Sequence, residues 1–133
     1  MRPESPPDPA VEGLDKEKDF LITLRYIAAI FPALRIVLEH ITTKAAVKFV
    51  EMMGSGVAAT ITLHHLMLTL DDVIGYSMAS GGLLRPHNFC KPVAKFDSDR
   101  QTLADAAMSG NPRFFFGSDS APHLRGAKEC ASG

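Results

Sequence analysis

Two residues able to do acid–base or metal chemistry stand where short apolar runs stop. His40 closes Leu34-Arg35-Ile36-Val37-Leu38-Glu39-His40, with Thr42-Thr43-Lys44 just beyond. Asp119 follows Phe114-Phe115-Phe116-Gly117-Ser118, and His123 comes after the small-residue loop Ser120-Ala121-Pro122. A buried parallel strand reads as a continuous apolar run, and barrel enzymes place their chemistry where such strands end. An imidazole and a carboxylate at two strand ends are ligand types of hydrolytic zinc sites. Each has a plainer reading taken alone. His40 could be a packed or capping residue, and Ser118-Asp119-Ser120 is turn chemistry.

Other candidates weigh less. His64 and His65 are adjacent, so on extended chain their side chains diverge and at most one faces a common site. Asp71-Asp72 reads as a solvated turn, and the Phe114–Phe116 triplet as core packing. Cys90, flanked by Phe89, reads as a small buried side chain rather than a nucleophile, because no basic triad partner is evident.

The elements that must position these residues follow from pattern. Asp15 can cap a helix carrying Phe20, Leu24, Ile27 and Phe31 on one face until Pro32 ends it. A strand over 35–40 comes next. Thr42 or Thr43 then caps a helix with Ala46, Val47 and Val50 inward, closing at Gly54. Val57–Thr62, rich in β-branched residues, predicts a second strand. The stretch from His64 to Lys95 reads as a long irregular segment, holding Gly81-Gly82 and Arg85-Pro86-His87-Asn88-Phe89-Cys90-Lys91-Pro92; loops of that length in a compact domain are usually functional. Ser98 and Gln101 form a capping-box pattern opening a helix with Leu103, Ala104, Ala107 and Met108, up to Gly110. Arg113–Gly117 is the third strand. Strands alternating with helices predict an α/β fold with right-handed crossovers and a parallel sheet. All strand C-termini then share one edge, which brings His40, His64, His65 and Asp119 to the same side.

Composition narrows the function classes. A net charge of −1 with 14 scattered basic residues gives no electrostatic case for nucleic acid or an anionic membrane. No apolar run approaches the ~20 residues that span a bilayer, and the start lacks the apolar stretch of a signal peptide. Cys90 and Cys130 make neither a CxxC pair nor a dense framework, which favours a reducing compartment, with cytoplasm as the default. Four of the nine prolines fall within the first nine residues, so residues 1–12 are expected to form an extended, unpacked tail and residues 13–133 the folded domain.

Four blocks together resemble the dihydroorotase family, cyclic-amide hydrolases of the amidohydrolase superfamily. They are Leu38-Glu39-His40-Ile41-Thr42-Thr43-Lys44, Ala58-Ala59-Thr60-Ile61-Thr62-Leu63-His64-His65-Leu66, Arg85 to Pro92, and Phe116-Gly117-Ser118-Asp119-Ser120-Ala121-Pro122-His123. The resemblance runs from about Leu14 to about Glu129. It implies a (β/α)₈ TIM barrel holding two zinc ions and interconverting dihydroorotate and N-carbamoyl-L-aspartate, a step of pyrimidine synthesis, in an enzyme that is often a homodimer. A complete barrel needs roughly 250 residues, so residues 13–133 would be its C-terminal part. Carried over, His40 and Asp119 are metal ligands, and Asp119 is also the proton carrier. His123 and the Ala121 backbone face the substrate carboxylate, and the Lys91 main chain faces the ring amide. The family's HxH pair, carboxylated lysine and earlier histidine have no counterpart in the sequence. Two readings compete with this one: a non-catalytic α/β fragment acting at most as an interaction module, and another cyclic amidohydrolase such as a hydantoinase or allantoinase. The Ser-Ala-Pro-His and His-Asn-Phe-Cys-Lys-Pro sequences argue against the latter.

Overall fold

The computed structural model describes residues 10–75 and 84–129. The prolines of the first nine residues, Gly81-Gly82 and Cys130 lie outside the described residues. Among the described residues six helices and three strands follow in the order α1 (Lys16–Ile30), β1 (Ile36–Leu38), α2 (Lys44–Met52), β2 (Val57–Ile61), α3 (Leu63–Met67), α4 (Leu70–Ile74), α5 (Asp97–Met108), β3 (Phe114–Phe116) and α6 (Arg125–Lys128), with a 3₁₀ turn at Pro86–Asn88. The sheet order is β1-β2-β3 and both pairings are parallel, with Val37 opposite Ala58 and Thr60 opposite Phe115. The α/β parallel sheet expected from the alternation is therefore present.

Strand alternation sends Ile36, Leu38, Val57, Ala59, Ile61 and Phe114 to one face, where α1, α2 and α5 bury them with Leu24, Val47, Val50 and Leu103. The opposite face carries Val37, Ala58, Thr60 and Phe115. It is only partly covered, with Val37 and Phe115 40% and 46% exposed. Parallel sheets are normally covered on both faces; here helices cover one face, as on the wall of a barrel.

Several local expectations need correction. Phe31 lies beyond α1 and is exposed, while Glu17, Leu21 and Leu24 form the buried face of that helix. Helix α5 starts one residue before Ser98, and Phe96 rather than a capping box precedes it; Gln101 instead donates to Asp105. Its inward residues are Asp99, Leu103 and Ala106, and Ala107 and Met108 are exposed. Of the phenylalanine triplet only Phe114 is core, because Phe115 points to the open face and Phe116 closes an edge strand. The segment after His64 is not structureless: α3, α4 and the 3₁₀ turn occupy much of it. Asp71-Asp72 opens α4 rather than a free turn. The Asp72 carboxylate accepts from the backbone N–H and hydroxyl of Thr69 at 2.8 and 2.9 Å, a reciprocal cap that offsets the unpaired donors of a helix start. Among the described residues no helix is long and apolar enough to cross a membrane.

Candidate active site at the strand ends

Past Leu38 the chain must leave the sheet and enter α2, and this turn is where His40 sits. His40 has φ +45°, and Asp119, past β3, has φ +42°. They are the two non-glycine residues with positive φ among the described residues. Left-handed backbone costs a residue with a Cβ of the order of 1 kcal/mol and persists only where the surroundings enforce it. The surroundings here are specific. The His40 backbone N–H donates to Thr60 Oγ1 at 2.6 Å, and the Ile41 N–H donates to the Thr60 carbonyl at 3.1 Å. Thr60 also abuts Gly117, where a Cβ would come within 2.8 Å of the Thr60 Cβ. Gly117 is thus required for β3 to close on β2 just before Asp119, and its N–H donates to the Ile61 carbonyl. Thr60 lies between the two turns and fixes both.

A second clamp lies behind His40. Glu17, buried on α1, accepts five hydrogen bonds from the turn: the Thr42 N–H reaches both carboxylate oxygens, the Thr43 N–H one, and both threonine hydroxyls donate at 2.6 Å. With its hydroxyl proton committed to Glu17, Thr43 Oγ1 is left to accept from the Ala46 N–H and cap α2, as its sequence position predicts. Asp99 of α5 accepts from the Lys44 N–H at 2.9 Å. Both carboxylates thereby pair donors at the start of α2, where the helix dipole favours negative charge.

The imidazole held in this way is itself unsatisfied. His40 is 2% exposed, and among the described residues neither Nδ1 nor Nε2 has a hydrogen-bond partner. A buried polar group without a partner costs about 1–3 kcal/mol, so such groups are rare in folded chains and call for an explanation. A ligand lone pair aimed at a cation is one that fits the residue type. Asp119 is half-buried, while Ala121 and His123 on the loop after it, and Lys91, are exposed. His87, also exposed, pairs with Glu129 at 3.1 Å, so α6 docks on the Arg85–Pro92 loop; the Lys128 ammonium reinforces that contact by donating to the Phe89 carbonyl.

His64 and His65 correct the expectation of divergence. They lie on α3 rather than on a strand, and their ring centroids are 4.3 Å apart. His65 Nε2 donates to the Pro92 carbonyl at 2.8 Å, which can only accept. Nδ1 must then be the acceptor, taking the Thr62 hydroxyl proton at 2.6 Å, and the Thr62 oxygen accepts in turn from His64 Nε2 at 3.2 Å. Burial pushes His65 down to about 3, and the Pro92 carbonyl only partly opposes this. Burial likewise lowers His64, with the Asp119 charge opposing it. Cys90 is half-buried beside His65, and burial raises its thiol.

The depressed His65 value has a consequence for stability. The unfolded chain takes up a proton near pH 6.5 and the native chain does not until about pH 3. The contribution of His65 is therefore complete above 6.5 and is lost as pH falls through that window, by at most about 1.4 kcal/mol per pH unit. Urea melts between pH 7 and 4 should show this decline, and His65→Asn should flatten it. An unchanged slope in the variant would contradict the assignment.

The parallel β/α units place a buried histidine and an aspartate just past the C-terminal ends of β1 and β3, the edge where barrel enzymes keep their chemistry. The relatives are specific. The chain is 49% identical over 127 residues to the dihydroorotase of Nitrosococcus oceani, spanning 95% of this chain and 35% of that protein. It is 50% identical over 124 residues to that of Aliivibrio fischeri, spanning 92% and 34%. Its backbone superposes with a TM-score of 0.81 on the dihydroorotase of Campylobacter jejuni at 43% identity, covering 94% of this chain and 34% of that one. The Saccharomyces cerevisiae dihydroorotase, solved in complex with 5-fluoroorotic acid, gives a TM-score of 0.81 at 42% identity, covering 98% and 37%. No protein-family model matches the chain. By sequence and backbone the chain is similar to dihydroorotases over nearly its whole length, and it spans about a third of the length of the relatives it matches.

Two contributors to the site were not read from the sequence. Glu17 sits in the charged run Lys16-Glu17-Lys18-Asp19, which reads as solvated, yet it is in step with Leu21 and Leu24 on the apolar face; a carboxylate at that register was the available signal. Thr60 occupies a strand position where a β-branched residue needs no further reason, so nothing local marked it.

Proposed function

We propose that this chain supplies the C-terminal share of a dihydroorotase active site, with residues 13–133 as the barrel segment and His40 and Asp119 as ligands to a zinc centre. The observation that carries the reading is the buried His40 ring with both nitrogens unpartnered. The donor set suits a hydrolytic zinc ion, which takes imidazole and carboxylate ligands. When bound, the metal supplies a nucleophile from water at neutral pH and polarises the amide carbonyl under attack.

The residues of this chain then have distinct tasks. His40, its backbone held by Thr60 and the turn after it by Glu17, offers a buried ring nitrogen as the ligand. Asp119 is a ligand and also the base: it takes the proton of the attacking nucleophile and returns it to the ring nitrogen of dihydroorotate as the C–N bond breaks, giving N-carbamoyl-L-aspartate. The reverse sequence closes the ring. His123 and the Ala121 backbone, exposed beside Asp119, receive the substrate carboxylate, and the Lys91 main chain borders the ring amide. Orotate-type recognition of this kind agrees with the 5-fluoroorotic acid named for the yeast relative.

Two ligands cannot assemble a dinuclear centre, because catalytic zinc normally takes three protein ligands per ion. The 133-residue chain by itself is expected to give no measurable hydrolysis of dihydroorotate. Turnover by the purified chain that His40→Ala abolishes would contradict this share of the site. The positive test is a graft in which this chain replaces the matching segment of the Nitrosococcus oceani dihydroorotase. Zinc bound by the graft should fall in His40→Ala. Undiminished zinc in that variant would remove His40 from the ligand set.

A further inference from the structure

The cluster formed by His64, His65 and Cys90 is not used by the chemistry proposed for His40 and Asp119. One ligand atom from each of the three lies within 4.8 Å of the others, with Cys90 Sγ and His65 Nε2 3.8 Å apart. Two ligands of one tetrahedral zinc ion, a sulfur and a nitrogen, stand about 3.6 Å apart when their bond lengths are about 2.3 and 2.05 Å. The Cys90–His65 pair is therefore already close to ligating separation. His64, half-buried at the edge of α3, needs only a small ring movement to join them.

We infer that His64, His65 and Cys90 form a separate binding site for a thiophilic divalent cation of the zinc type, with water as the remaining ligand. Imidazole plus thiolate is the donor set that selects such ions over magnesium or calcium. The inference does not depend on the dihydroorotase reading, because none of the three residues has a role there.

Binding moves the protons in a definite way: the Pro92 carbonyl gives up its His65 and Cys90 donors, and the Thr62 hydroxyl proton turns from His65 to the neighbouring His64 ring or to solvent. Cys90 Sγ now lies 3.6 Å from the Pro92 carbonyl and gives up its thiol proton to solvent on binding. His65 remains neutral, moving its proton from Nε2 to Nδ1. Nε2 then exchanges the Pro92 carbonyl for the cation, and Nδ1–H donates to Thr62 Oγ1, reversing the present 2.6 Å hydrogen bond. A ligating histidine usually donates its other N–H in this way, and the Thr62 hydroxyl is already in place to accept it. His64 contributes one ring nitrogen.

The test is cobalt(II) titration of the 133-residue chain carrying Cys130→Ser, so that Cys90 is the only sulfur donor of its kind. A thiolate-to-cobalt charge-transfer band in the near ultraviolet should rise to one equivalent. Cys90→Ser should abolish it, His64→Ala should weaken binding at least about tenfold, and His40→Ala should leave it in place. Absence of the band, its persistence in Cys90→Ser, or its loss in His40→Ala would each overturn the site. The last control separates this site from the His40 and Asp119 reading, whose ligands contain no sulfur.

Discussion

Asp119→Asn, made in the graft that completes the barrel, is expected to lower kcat by about 10²–10⁴-fold, the usual contribution of a positioned proton-transfer group. An amide neither accepts the nucleophile's proton nor binds zinc well, so both tasks assigned to this residue fail together. The positive φ of Asp119 survives the change, because asparagine tolerates the left-handed region at least as well as aspartate. The loss is then chemical rather than conformational. His123→Asn should behave differently. His123 is exposed beyond Pro122 and is assigned to the substrate carboxylate, so its loss should raise KM at least as much as it lowers kcat, with metal content unchanged. Steady-state kinetics with metal analysis on both variants separates the roles. Metal loss in His123→Asn, together with near-normal kcat in Asp119→Asn, would reverse the assignment.

The second large effect is structural. Glu17→Ala should destabilise the chain by ~3 kcal/mol or more, since it strands two backbone N–H groups and two hydroxyls that now point at one buried carboxylate. Glu17→Gln should lie between the two, because one acceptor oxygen remains while the new amide N–H₂ faces donors. Urea midpoints at a fixed protein concentration measure the order wild type, Gln, Ala. The same variants should weaken zinc binding by the graft, because the Thr42-Thr43 turn anchors the His40 backbone. A midpoint unaffected by Glu17→Ala would show that the clamp does not hold the turn.

Much of this fold was legible because the core segments carry strong periodic signals. The apolar runs ending at His40 and Asp119 marked two strands, and their alternation with helices gave the parallel sheet. Thr43 was readable as a cap from its place before Ala46 and Val47, and it is one. The errors cluster where periodicity is too short to register. Helices α3 and α4 have five residues each, barely more than one turn, so no repeat could be seen. The same oversight produced the misreading of His64 and His65, whose side chains diverge on a strand but meet on a single helical turn. Phe115 and Phe116 were assigned to the core by hydrophobicity alone. Their exposure follows from the sheet's open face and edge, which belong to topology rather than to the local sequence.

The site divides in the same way. Residue type and strand-end position single out His40 and Asp119 as candidates. Their shared left-handed backbone and the empty hydrogen-bonding capacity of the His40 ring required coordinates. Glu17 and Thr60 act on His40 from 23 and 20 residues away along the chain, as read from their numbers in the sequence. Long-range support of that kind leaves no local pattern to detect.

If this chain carries working dihydroorotase ligands, the Nitrosococcus oceani graft must turn over dihydroorotate. The expected result is hydrolysis by the graft, together with the reverse cyclisation of N-carbamoyl-L-aspartate, and loss of both in His40→Ala. A folded, zinc-loaded graft that turns over neither compound, or one whose turnover survives His40→Ala, would contradict it.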